Sequence, residues 1–134
     1  MADAAAVLRE LALFEAGLRD PAGFGHREHV RLAYEMLARH PFDRAVARYA
    51  RGLRRMAARA GAPGKYHATV TVAFLALVGE RRAAGGDRGW EAFARENADL
   101  MDPGCLRRWY DPARLGSAAA RATFLLPAPN GEGR

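Results

Sequence analysis

Residues 68–78 form the longest apolar run of the chain, interrupted only by Thr69 and Thr71. Wound as a helix, the run is apolar on nearly every side, so it demands burial from all directions. It is too short to span a bilayer. A central helix over residues 65–84, wrapped by others, is the arrangement it predicts. Gly61-Ala62-Pro63-Gly64 breaks the chain before it and Gly85-Gly86 closes it.

The rest of the chain supplies the wrapping. Val7, Leu8, Leu11, Phe14 and Leu18 recur at helical spacing, predicting a first helix over residues 4–19. Asp20-Pro21-Ala22-Gly23 turns the chain. A second helix runs from His26 to Arg39, with His26, His29, Val30, Ala33, Tyr34 and Leu37 on its inner stripe, and His40-Pro41 ends it. A third covers residues 42–60. Its inner stripe is Phe42, Ala45, Val46, Tyr49, Leu53, Met56 and Ala60, and its outer stripe is Arg44, Arg48, Arg51, Arg55 and Arg59. Asp87 is placed to cap a fifth helix over 88–98. Short helical pieces follow Asp102-Pro103 and Asp111-Pro112, and Ser117 is placed to cap a last turn. Phe124-Leu125-Leu126-Pro127 reads as an extended segment packed back on the core. No segment alternates at period two. The expectation is an all-α fold: one compact helical domain over 1–126, five main helices plus short C-terminal ones, and a disordered tail over 127–134.

Three of the four histidines fall on inward faces. His26 and His29 stand at i, i+3 on the apolar stripe of the second helix, while Glu28, Arg31 and Glu35 lie opposite. His67 opens the central helix, with Thr71 one turn along. Buried imidazoles need partners, which points to a polar site inside the core. Glu15, at the edge of the first helix's stripe, is the candidate carboxylate. Three histidines and one carboxylate would suit a divalent transition metal (Fe, Mn, Zn or Cu) with an open position for water or substrate. His26, His29, His67, Glu15 and Thr71 are thus the candidate catalytic residues, the first four also as metal ligands. Lys65, Tyr66, Tyr34 and Trp109 are the candidates for substrate contact. The bland alternative is that the histidines are satisfied core residues or caps.

The net charge of +6 invites a nucleic-acid reading. Against it, 20 of the 21 basic residues are Arg, as a GC-rich coding bias produces, and aromatic residues do not interleave with them as a base-stacking surface requires. Cys105 is the only cysteine, so no internal disulfide forms. The first residues lack the basic start of a signal peptide. A cytoplasmic location is expected, with a small-molecule substrate, no membrane and no nucleic-acid partner. A homodimer is left open.

The motifs Phe24-Gly25-His26-Arg27-Glu28-His29-Val30, Lys65-Tyr66-His67-Ala68-Thr69-Val70-Thr71 and Ser117-Ala118-Ala119-Ala120-Arg121 follow one another in that order. So do Phe14-Glu15, Ala73-Phe74, Trp109-Tyr110 and Phe124-Leu125-Leu126-Pro127. Over most of residues 11–127 the chain resembles an uncharacterised family of small helical bacterial proteins with HxxHV, YHxTxT and SxxAR motifs. The resemblance implies that Glu15, His26, His29, His67 and Thr71 share one site. It also implies that Glu often follows the third histidine, where this chain has Ala68. It carries over no activity.

Three functions stay open on this basis. The first is a metal-dependent enzyme acting on a small molecule. The second is a metal-free acid/base enzyme or small-molecule-binding protein using the same pocket. The third is a helical interaction module whose arginine face docks an acidic partner.

Overall fold

The turn signals fall where the helices end. A computed structural model describes residues 3–129, and it is all-α, with no strand among the described residues. The main helices are α1 (Ala4–Glu15), α2 (His26–Arg39), α3 (Phe42–Arg59), α4 (Ala68–Gly85) and α5 (Trp90–Glu96). Short 3₁₀ segments at Pro63–Lys65, Ala98–Met101 and Pro103–Arg108 join them, and α6 (Pro112–Leu115) and α7 (Ala118–Ala122) complete the fold. No helix is long and apolar enough to cross a membrane among the described residues.

α4 stands at the centre, as its composition demands. It packs against α2 and α3 on one side and against α7 and the Pro103–Arg108 segment on the other. The larger core gathers Phe14 from α1, Leu32 and Met36 from α2, Tyr49 from α3, and Leu75 and Val78 from α4. A smaller cluster of Ala73, Leu106 and Tyr110 fills the far side.

Four expectations are corrected. α1 stops at Glu15 rather than running to residue 19. Gly17 takes a left-handed φ of 76°, the Gly17 N–H bonds to Phe14 O at 2.9 Å and the Leu18 N–H to Leu13 O at 2.8 Å, which closes the helix in a Schellman turn. Leu18, beyond the helix end, lies half exposed at 50%, and Leu8, within α1, is 55% exposed and so off its buried face. α4 starts at Ala68, not at Lys65, because Tyr66 and His67 are extended and His67 is the cap. α5 starts at Trp90 behind Gly89. Asp87 does not cap it, but accepts from the Tyr34 hydroxyl at 3.2 Å and pairs with Arg82 at 3.2 Å.

The fourth correction concerns the segment after α7. It is tied down by its backbone, not by its apolar side chains: Phe124 and Leu126 are exposed. The buried Thr69 hydroxyl donates to Thr123 O at 2.7 Å and accepts from the Leu125 N–H at 3.0 Å. The Tyr110 hydroxyl donates to Leu125 O at 2.7 Å, and the Arg114 guanidinium to Leu126 O. Of the tail expected to be disordered, residues 130–134 lie outside the described residues.

Candidate functional site

His67 is held to the backbone at both ring nitrogens. Its Nδ1 accepts the Val70 N–H at 3.1 Å, capping α4, and its Nε2 lies 2.8 Å from Leu115 O. A carbonyl only accepts, so Nε2 carries the hydrogen and both nitrogens are engaged. The sequence places His67 with a catalytic or metal-binding group; the structure makes it the clamp between α4 and α6. We predict that His67→Ala costs about 1–2 kcal/mol, the value of a lost cap plus a lost hydrogen bond. His67→Asn should recover the cap share alone. Urea unfolding of the three proteins measures both.

Glu15 is likewise placed elsewhere. Both its carboxylate oxygens accept from Arg48 Nη1, at 3.2 and 3.1 Å, and Arg51 stands 3.9 Å away. It joins α1 to α3 as an ion pair and lines no pocket with the histidines. Among the described residues, no group of three or more His, Cys, Asp or Glu side chains is placed to hold a metal ion. The four-ligand set read from the sequence is therefore not assembled.

His26 and His29 are brought together. They line a pocket of about 110 Å³ between α2, α3 and α4, walled by Val30, Tyr49, Leu53, Thr71 and Phe74, with Pro103 at one side. α2 begins at His26, so both rings rise from its first turn, that of His26 against Phe74 of α4 and that of His29 against Phe24. His26 Nε2 lies 2.8 Å from Leu100 O, which assigns its hydrogen to Nε2 and leaves the Nδ1 lone pair free in the neutral ring. Its ring meets Phe74 edge-on at 4.8 Å.

His29 packs against Phe24 with ring centres 4.2 Å apart and the planes tilted by 38°. No side-chain hydrogen bond engages its imidazole among the described residues. Burial, then the neighbouring His26, pushes its pKa down to about 4, so the ring is neutral at pH 7. The Tyr49 hydroxyl donates to the His29 backbone carbonyl at 2.8 Å, and burial pushes that phenol far up, so it stays neutral. Thr71 is buried, and its hydroxyl donates to His67 O at 2.7 Å. Only its oxygen lone pairs remain for a ligand.

The other predicted contact residues lie apart from this pocket. Tyr34 is buried with its hydroxyl on Asp87, beside a separate cleft of about 880 Å³. That cleft is larger, but four of its lining charges pair with one another, Arg31 with Glu28 and Arg39 with Glu35. Tyr66 lies under the Arg54 guanidinium at 4.4 Å, on a groove between α3 and α4. Lys65 is exposed. Trp109 packs on the smaller core cluster with Arg108 over its ring. The sequence reading missed Tyr49, Leu53, Phe74 and Pro103 as pocket walls. Tyr49 and Leu53 already stood on the inner stripe of α3, which was the available signal.

Comparison with protein-family models, with curated proteins and with solved structures returns no match. The chemistry of the pocket rests on its own residues.

Proposed function

We propose that the protein binds a compact, mostly apolar small molecule in the His26–His29 pocket, with a donor group of the ligand bonded to the His29 ring. The observation that carries this reading is the His29 imidazole itself. It is neutral, largely buried and without a hydrogen-bond partner among the described residues, in a mostly apolar pocket that also holds His26, Tyr49 and Thr71. A ligand donor bonded there takes the place of water on a partly enclosed ring nitrogen, a net gain of about 0.5–1.5 kcal/mol. About 110 Å³ suits a molecule of some six to eight heavy atoms, on the scale of a cavity that admits benzene.

Binding is favoured over general-base catalysis. A base works best with its pKa near the working pH. A ring that stays neutral down to about pH 4 is a weak proton acceptor but a dependable hydrogen-bond acceptor. A divalent metal is the rival occupant. It would take His26 Nδ1 and His29, with non-protein groups completing its shell, since Glu15 and His67 are engaged elsewhere.

Phenol and toluene are matched probes of this reading, alike in size and differing in one hydroxyl. Calorimetric titration should show phenol bound by the parent and about tenfold weaker in His29→Leu, the value of one hydrogen bond. Toluene affinity should change by less than about twofold. A phenol-to-toluene ratio untouched by the substitution overturns the assignment. Tight zinc binding that vanishes in His29→Leu, with no phenol binding in the parent, favours the metal.

A further inference from the structure

A second site lies on another face of α3. A groove of about 680 Å³ runs between α3, α4 and the segment after α7. Val46, Val72 and Phe124 form its floor, and Arg51 and Arg54 stand on its rim. Among the described residues no Asp or Glu lines it. The two arginines are at i, i+3, so their guanidinium groups rise from one face of α3.

Both are available. Glu15, the nearest carboxylate to Arg51, is 3.9 Å away and already holds Arg48 with both oxygens. The Arg51 side chain is 52% exposed. Arg54 lies over the Tyr66 ring at 4.4 Å and makes no ion pair among the described residues. That stacking holds its planar fork in place over the groove. Arg55, by contrast, is spent on Glu15 O at 2.9 Å, where it caps the end of α1.

We infer that this groove binds an amphipathic anion: an alkyl chain on the apolar floor, and a carboxylate or phosphate head on Arg51 and Arg54. Guanidinium groups grip such heads through paired N–H donors. The volume lies in the range of small-ligand sites, enough for one chain of moderate length. An acidic peptide would use the same charges but would leave the floor unfilled. The inference does not depend on the histidine pocket, which opens between other faces of the helices.

Decanoate, decyl phosphate and decanol, each below its aggregation threshold, test it on the full chain by calorimetric titration. Decanoate and decyl phosphate should both bind, whichever is tighter, and decanol should bind at least about tenfold more weakly. Each CH₂ added from hexanoate to decanoate should tighten binding by roughly threefold, a little under the full burial of one methylene. Arg51→Ala/Arg54→Ala should weaken decanoate at least about tenfold, while the equally charged control Arg44→Ala/Arg59→Ala changes it by less than about twofold. Arg51→Ala alone spares the Tyr66 stacking and should lose roughly threefold or more, which keeps the test open if the double variant unfolds. Equal losses in test and control pairs, decanol binding as well as decanoate, or an acidic peptide binding at Arg51 and Arg54 where decanoate does not, would each overturn the proposal.

Discussion

Gly52→Ala unfolds at a melting temperature lower by roughly 10 °C, a loss of about 3 kcal/mol. Gly52 sits in the middle of α3, where Gly would ordinarily cost stability relative to Ala. Here the sign reverses. A Cβ at this position would stand 2.7 Å from Phe14 O and 2.8 Å from Phe14 Cε2. The first atom is backbone near the end of α1, and the second belongs to a side chain with no exposure at all. Neither can step aside by rotamer change. To admit the methyl group, α1 and α3 must separate, which opens the contact of Phe14 with Tyr49, now 4.9 Å between ring centres. It also pulls on Arg48 and Arg55, which hold Glu15 from α3. Differential scanning calorimetry of parent and variant measures the shift. An unchanged or raised melting temperature would mean that α1 and α3 do not meet this closely.

Acid should remove about 3 kcal/mol of stability through His29 alone. The ordinary imidazole pKa is 6.5, and burial beside His26 lowers that of His29 to about 4 in the folded protein. Between those values the unfolded chain holds a proton that the folded chain refuses, so acid favours unfolding. The stability is fully present above about pH 7. It falls as the pH drops through 6.5, and the loss is complete below about pH 4. Glu28 and Asp99, whose carboxyl groups are held down by Arg31 and Arg81, add a separate loss at lower pH. Their ordinary values are 4.5 and 3.8, so the window from about pH 6.5 to 4.5 reports chiefly on the histidine. Urea unfolding across that window should show a slope in the parent that is absent in His29→Leu. A parent as stable at pH 4.5 as at pH 7 would place His29 in water.

The two predictions rest on features of different legibility. The extent of α2 can be read directly, from His26 to the His40-Pro41 stop. Its burial cannot. Leu32 and Met36 are fully buried although they lie off the predicted stripe, because α2 packs against α1, α3, α4 and α5 and hides more than one face. Periodicity within a helix finds one apolar face and is blind to a second that neighbours create.

The same limit explains the site. The placement of His26 and His29 side by side follows from i, i+3 spacing. The role of Glu15 depends on the register of α3 against α1, which turns Arg48 and Arg51 toward it. Part of the arginine stripe is thereby a helix–helix contact rather than a wholly solvated face. His67 was misplaced by three residues of helix. With α4 starting at Ala68, its ring folds back to cap the helix and reach α6 instead of pointing along the stripe of Thr71 and Phe74. Local backbone geometry at a helix start decides such roles, and composition does not encode it.

The most direct test is a long-range ¹⁵N–¹H NMR spectrum of the imidazole nitrogens at pH 7, recorded as phenol is added. A neutral His29 ring is expected, its acceptor nitrogen moving with phenol concentration while both nitrogens of His67 hold their positions. A charged His29 ring at pH 7, or a response at His67 with none at His29, would contradict it.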